Sequence, residues 1–308
     1  VEGKNNIRSF HLAGIIPIGD RPRDFNFQWH DSLMPVGRNY TALENAVQEC
    51  AMAGCETIWI VSHMDMQPLI RERIGDWIYD PVTVVSDYRK RAKEIREIPV
   101  YYVPVHPNDK DRRDCLSWSA LYGVLSAFLV CAKISKWVIP DKYYISFPYG
   151  MIDLEVVRKS RSLITSKRNF YFKYDGNTVK DGSYLSFTIG GDDYLELRKK
   201  FREESINSYR DGGIYVPVDE QYNARYFTVK DVFKHLKQGK KDNYVDLDWY
   251  YYIGDWESYC NFLGSPERSH FVRREDFTYN EWNPIGEDNE EGSEVGPRDN
   301  TGDEDGEF

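Results

Sequence analysis

Gly19-Asp20-Arg21-Pro22-Arg23-Asp24 gathers a glycine, two guanidinium groups and two carboxylates directly after the apolar run Leu12 to Ile18. A glycine ending a buried run lets the backbone turn tightly and present N–H groups to phosphate oxygens. A guanidinium pairs bidentately with the same oxygens. Ile18 and Gly19 are therefore candidate nucleotide-binding residues, and Arg21 and Arg23 candidate catalytic residues that neutralise phosphate charge. Asp141 closes the run Lys136-Trp137-Val138-Ile139-Pro140. A carboxylate leaving a buried parallel strand faces the crevice where ligands bind, and it suits a hard divalent cation. Transfer chemistry at phosphate spreads negative charge over oxygens that such an ion compensates, which makes Asp141 a candidate metal ligand and Mg2+ a candidate cofactor.

Other polar clusters have simpler readings. Gly190-Gly191-Asp192-Asp193 precedes a helical stretch and reads as a turn with an N-cap. Asp109 to Asp114 mixes signs and reads as a solvated loop. His63 and His106 each end a strand-like run, on the functional edge of a parallel sheet, although a single histidine is more often structural.

The elements that must position these residues follow from periodicity. Thr41 with Glu44 forms a capping box for a helix whose apolar face is Ala42, Leu43, Ala46, Val47, Cys50 and Ala51, and Gly54 ends it. Thr57 to Val61 and Pro99 to Val105 are continuous apolar runs of strand length. Met66 to Trp77 and Asp114 to Ser135 read as helices, and Lys136 to Asp141 as a strand. Alternating strands and helices predict an α/β fold with a doubly wound, mostly parallel sheet. The second half predicts a smaller mixed α/β part. It has strands at Asn169 to Tyr174 and Tyr184 to Ile189, helices at Asp192 to Ile206 and Thr228 to Leu236, and the aromatic run Trp249 to Gly254.

Charge is distributed unevenly. Between Gly286 and Phe308, ten carboxylates and one arginine carry nine of the ten net negative charges of the 308-residue chain. The body is therefore nearly neutral and lacks the positive field of a non-specific nucleic-acid binder. The expected organisation is a main domain over 1–262, an extension over 263–285 and a disordered acidic tail over 286–308. Five cysteines, an odd number without zinc spacing, favour reduced thiols and a cytoplasmic protein. No apolar run of membrane-spanning length is expected.

Four segments, in order, resemble the sugar-phosphate nucleotidyltransferases, which join a nucleoside triphosphate to a sugar phosphate and release pyrophosphate. Gly14 to Gly19 resembles the family's first strand and glycine turn, and Ser32 to Gly37 its LLPVG segment. Thr41 to Val61 resembles its helix, AGC turn and IWIV strand, and Ile253 to Tyr259 its DIGT-x-x-x-Y close. Together the segments span about residues 11–262. The same cluster resembles nucleotidyltransferase-like proteins of large tailed phages, which would place the chain in a host cytoplasm.

The resemblance implies the nucleotide-diphospho-sugar transferase fold, a nucleotide or nucleotide sugar and a sugar phosphate as partners, and Asp141 as the magnesium aspartate. It also implies that Arg112, Arg113 and Ser117 lie where the base is held. Three departures stand out. The family's G-x-G-T-R loop has lost glycines here, and Asp31 stands where the family places a phosphate-contacting lysine. The second metal aspartate, two residues before Gly254, is Tyr252, leaving Asp255 or Asp248 to substitute. These departures leave two further readings open: a glycosyltransferase using a nucleotide sugar, and a non-catalytic, virion-associated or binding protein that keeps the fold.

Overall fold

The computed structural model describes residues 10–20, 23, 25–82, 96–110, 112–134, 138–207, 223–237, 239 and 241–272. Among these, β1 (Leu12–Pro17), β4 (Thr57–Ser62), β6 (Glu97–Pro104) and β7 (Lys142–Ile145) form the parallel centre of an eight-stranded sheet. On one side β10 (Phe187–Ile189), β9 (Phe170–Lys173) and β11 (Asn243–Asp246) continue it, and β5 (Trp77–Tyr79) closes the other. The order is β11-β9-β10-β7-β1-β4-β6-β5. β10 and β5 run antiparallel to their neighbours, so the sheet is mixed but mostly parallel. Ile15, Ile58, Ile60 and Val103 lie on adjacent parallel strands and are buried, as expected of a sheet covered on both faces.

Period-two alternation sends neighbouring residues to opposite faces. Leu12 and Ile16 pack with α1 (Ala42–Ala53) and α2 (Gln67–Ile74), whereas Ala13 and Ile15 pack with α3 (Leu116–Leu129). The capping box of α1 is present in full, and Gly54 closes the helix in the left-handed region at φ 95°. The α1 face also carries α4 (Leu154–Lys159) and α5 (Arg161–Ile164); the α3 face carries α6 (Gly191–Asn207) and α7 (Val229–Phe233). Leu116–Lys133, with mean hydropathy 1.4, has the length and composition of a membrane span, contrary to expectation. Here Leu121, Val124 and Ala127 bury it against the sheet, as in a core helix.

A third cluster sits beside the sheet. It joins the hairpin β2 (Pro35–Gly37) and β3 (Tyr40–Thr41) to the ladder of β8 (Gly150–Met151) with β12 (Tyr251–Tyr252), and to α8 (Trp256–Leu263). Phe271 is buried in it, so the chain packs on the body as far as that residue. The acidic tail lies outside the described residues.

Two expected elements are corrected. Trp77 belongs to β5 rather than to the preceding helix. More consequentially, the strand expected over 136–141 begins only at Lys142, and Val138 and Ile139 are exposed. Asp141 therefore precedes its strand, and its Oδ2 accepts the His11 N–H at 2.9 Å beside the start of β1. This is the amino edge of the parallel sheet, opposite the edge where ligands bind in such folds.

Candidate functional site

The carboxyl ends of β1 and β4 converge on a cluster built around Arg23. Ile18 extends β1 by donating its N–H to Val61 O at 2.8 Å, so that donor serves the sheet. Gly19 follows where only hydrogen fits: a Cβ there would collide with Val105 and stand 2.7 Å from Ser119 Oγ. The Ser119 hydroxyl also donates to Gly19 O at 2.6 Å, fixing the turn onto α3. Gly19 thus stands at the expected edge, held by packing. Arg21 lies outside the described residues.

Arg23 turns back into the protein, its side chain 14% exposed. Its guanidinium carbon lies 3.9 Å from the centre of the Tyr149 ring, 5.5 Å from Tyr184 and 5.9 Å from Tyr252. All three distances are within cation–π range. Nη1 donates to Tyr252 Oη at 2.8 Å, and Nη2 stands 3.7 Å from Asp20 Oδ2. The backbone N–H donates to Asp31 Oδ2 at 2.5 Å. Nε is buried without a partner among the described residues. Burial opposes the charge, but Tyr149, Tyr184, Tyr252 and Asp20 outweigh it and raise the guanidinium's pKa, so it stays protonated.

Three separate segments supply this cage. Tyr149 follows β7, Tyr184 precedes β10 and stacks on Tyr252 at 4.9 Å, and Tyr252 ends β12. Gly254 lets the Tyr252 ring fold back, because a Cβ at residue 254 would overlap that ring. Burial pushes the Tyr252 phenol up to about 12 although Arg23 pulls it down, so it is neutral at ordinary pH.

Asp31 and His30 complete the cluster. Asp31 is 5% exposed; burial raises its pKa, and the Arg23 N–H and charge oppose the rise. Its carboxylate thus faces Arg23, which explains how an acid is tolerated where the resemblance expects a lysine. His30 Nδ1 lies 3.2 Å from the Ser32 N–H, a group that can only donate, so the ring's proton resides on Nε2. Burial lowers the His30 pKa to about 4; Ile18 O opposes this, while His63 and Arg23 reinforce it. His63 joins through Nε2 at 3.3 Å from Asp20 O.

The other expected site residues have structural partners of their own. Ser117 is fully buried and donates to Thr228 O at 3.2 Å, and Ala224 N–H donates to Arg112 O at 2.6 Å while the residue itself is exposed. Both contacts tie the second half to the start of α3. Asp255 is the N-cap of α8, its two oxygens taking Ser258 N–H and Ser258 Oγ at 2.9 Å each. Asp141 stands at the opposite edge, and Asp255, whose charge acts on Tyr252, has both oxygens engaged in capping α8. The residues after β7 are Ser146, Phe147, Pro148 and Tyr149, with no acid among them. Among the described residues, no group of three or more His, Cys, Asp or Glu side chains is placed to hold a metal ion. Among the described residues the acids at the cluster, Asp20 and Asp31, face Arg23, and this donor set does not suit Mg2+.

The tyrosines were missed in the sequence because the chain has 23 of them and nothing in their spacing marks three that converge. The available signal was Tyr252 standing two residues before Gly254.

Comparison with solved structures agrees with the architecture. The chain is similar to a Bacillus anthracis protein assigned as a glucose-1-phosphate thymidylyltransferase and solved with sucrose. The TM-score is 0.50 and the identity 8%, covering 83% of this chain and 94% of that one. It is also similar to a nucleoside-diphosphate-sugar pyrophosphorylase of Vibrio cholerae, with TM-score 0.45 and 12% identity over 82% and 100% of the two chains. A Mycobacterium tuberculosis protein, also solved with manganese, matches with TM-score 0.47 and 12% identity over 83% and 99%. No protein-family model matches the chain, and no curated protein does. At 8% identity the likeness to the Bacillus anthracis protein shows the fold alone, a mixed, mostly parallel α/β sheet.

Proposed function

We propose that this chain is a nucleotidyltransferase-like protein that binds a nucleotide or nucleotide sugar at the carboxyl edge of β1 and β4, phosphate against Arg23. One observation carries the reading. A buried guanidinium stands beside the Gly19 turn with one donor, Nε, that no described residue takes. A buried unmade hydrogen bond costs free energy that an incoming acceptor recovers. A phosphate oxygen is the acceptor a guanidinium recognises best. His30, held neutral by burial, lines the same edge, as do His63 and the Tyr149, Tyr184 and Tyr252 rings, and together they offer polar and stacking contacts to base or sugar. In this reading a sugar phosphate would be the acceptor, held by the second half.

A thermal-shift screen of nucleoside triphosphates, nucleotide sugars and sugar phosphates tests the proposal. A ligand at about a hundredfold excess over its Kd should stabilise the chain by about 2.7 kcal/mol. No shift with any of the three classes would sink it. The positions of Asp141 and Asp255 favour a second reading, binding without nucleotidyl transfer. Following pyrophosphate release from any binding pair separates the two, since release supports the enzyme and binding without release supports the retained fold.

A further inference from the structure

We infer that the phosphate site works without a divalent ion, because the Arg23 guanidinium already occupies the cation position between the two segments that would carry metal carboxylates. The inference rests on the binding reading above and specifies its electrostatics.

Three observations converge on it. First, the segment before Gly254 presents Tyr252, and the turn after β7 presents Tyr149, so both segments set neutral phenols against Arg23. Second, the guanidinium lies between them, 3.9 Å from the Tyr149 ring centre and 2.8 Å from Tyr252 Oη through Nη1. The aromatic faces attract a cation, and the one they hold belongs to the chain. Third, the described acids at the cluster already face Arg23: Asp31 Oδ2 accepts its backbone N–H and feels its charge, and Asp20 Oδ2 is 3.7 Å from Nη2. A doubly charged ion brought into this space would meet a fixed positive charge in a poorly screened interior and would have to strip Asp20 or Asp31 from Arg23. An anion meets the reverse: a desolvated guanidinium with Nε unpartnered among the described residues. Pyrophosphate, the group shared by nucleoside triphosphates and nucleotide sugars, is the chemistry such a site recognises.

Two measurements on the full chain test this. Calorimetric titration with inorganic pyrophosphate and with a nucleoside diphosphate, each in excess EDTA and in excess Mg2+, should give affinities in EDTA at least as high as in Mg2+. Mn2+ titration followed by its paramagnetic resonance signal should show no stoichiometric site. Arg23→Met should lower anion affinity by about tenfold or more, the usual worth of a charge-assisted hydrogen bond. Because Arg23 also ties three segments together, Arg23→Lys provides a second variant that keeps the charge but not the guanidinium fork; it should recover part of the metal-free affinity that Arg23→Met loses. Binding that requires Mg2+, or a stoichiometric Mn2+ site, would overturn this inference and leave the binding reading standing. Absence of anion binding in both conditions would remove the binding reading and this one with it.

Discussion

His30 shows how burial sets the chemistry of a single residue in this cluster. Its folded-state pKa of about 4 lies below the ordinary value of 6.5 because burial disfavours the imidazolium, with His63 and Arg23 adding repulsion. A depressed pKa contributes stability that is present above pH 6.5 and lost as pH falls through 4. The loss should amount to on the order of 3 kcal/mol. Glu49 acts in the opposite sense. It is fully buried, with Tyr144 Oη and Ser146 Oγ donating to it at 2.6 and 2.9 Å, and burial raises its pKa, so its contribution is greatest at low pH and declines as pH rises. Urea midpoints of the parent and His30→Gln across pH 4 to 7 separate the two, since only the histidine contribution vanishes in the variant. A parent and variant with parallel pH profiles would show that His30 is not held neutral by the fold. At Asp141, Asp141→Asn should cost about 0.5–1.5 kcal/mol, because its partner is the His11 N–H, and leave ligand binding unchanged. A tenfold loss of nucleotide affinity in that variant would return Asp141 to the site.

Elements with strong local signals were legible in the sequence, and those decided by tertiary contacts were not. The Thr41 and Glu44 capping box, the Gly54 stop and the apolar runs of β1, β4 and β6 all stand where periodicity puts them. Thr41→Ala should therefore destabilise the chain by about 1 kcal/mol in a denaturant melt; an unchanged midpoint would mean that packing alone fixes α1. β7 was displaced because Trp137-Val138-Ile139 is apolar and Lys142 looks like a surface residue. Instead Lys142 is buried, and its ammonium donates to the carbonyls of Ile164, Ser166 and Arg168 at 3.0, 3.1 and 2.5 Å, at and just after the end of α5. Burial lowers its pKa to about 8. A charge satisfied by carbonyls more than twenty residues away leaves no trace in local spacing, and the shift carried Asp141 from one sheet edge to the other. The Arg23 cage was hidden for a similar reason: Arg23 was visible as a phosphate candidate, but Tyr149, Tyr184 and Tyr252 meet only once β7, β10 and β12 are assembled.

Across the whole molecule, the sheet carries two cores, and the third cluster binds the Arg23 loop, the β8 and β12 ladder and the chain as far as Phe271 to its side. Removing the residues beyond Gly286, which carry nine of the ten net negative charges, should leave Tm within about 2 °C. A larger fall would show that the acidic tail docks on the body. The same truncation should change anion binding only through long-range repulsion, an effect that salt screens. The central claim is that a phosphate-bearing ligand completes the hydrogen bonding of Arg23. Arginine Nε–Hε correlation spectra, assigned by loss of one signal in Arg23→Lys, read that donor directly during titration with a nucleoside diphosphate in EDTA. The account predicts a saturable downfield shift of the Arg23 Hε signal, with an affinity matching calorimetry; an Arg23 signal that stays fixed while the ligand binds would place the phosphate elsewhere and contradict it.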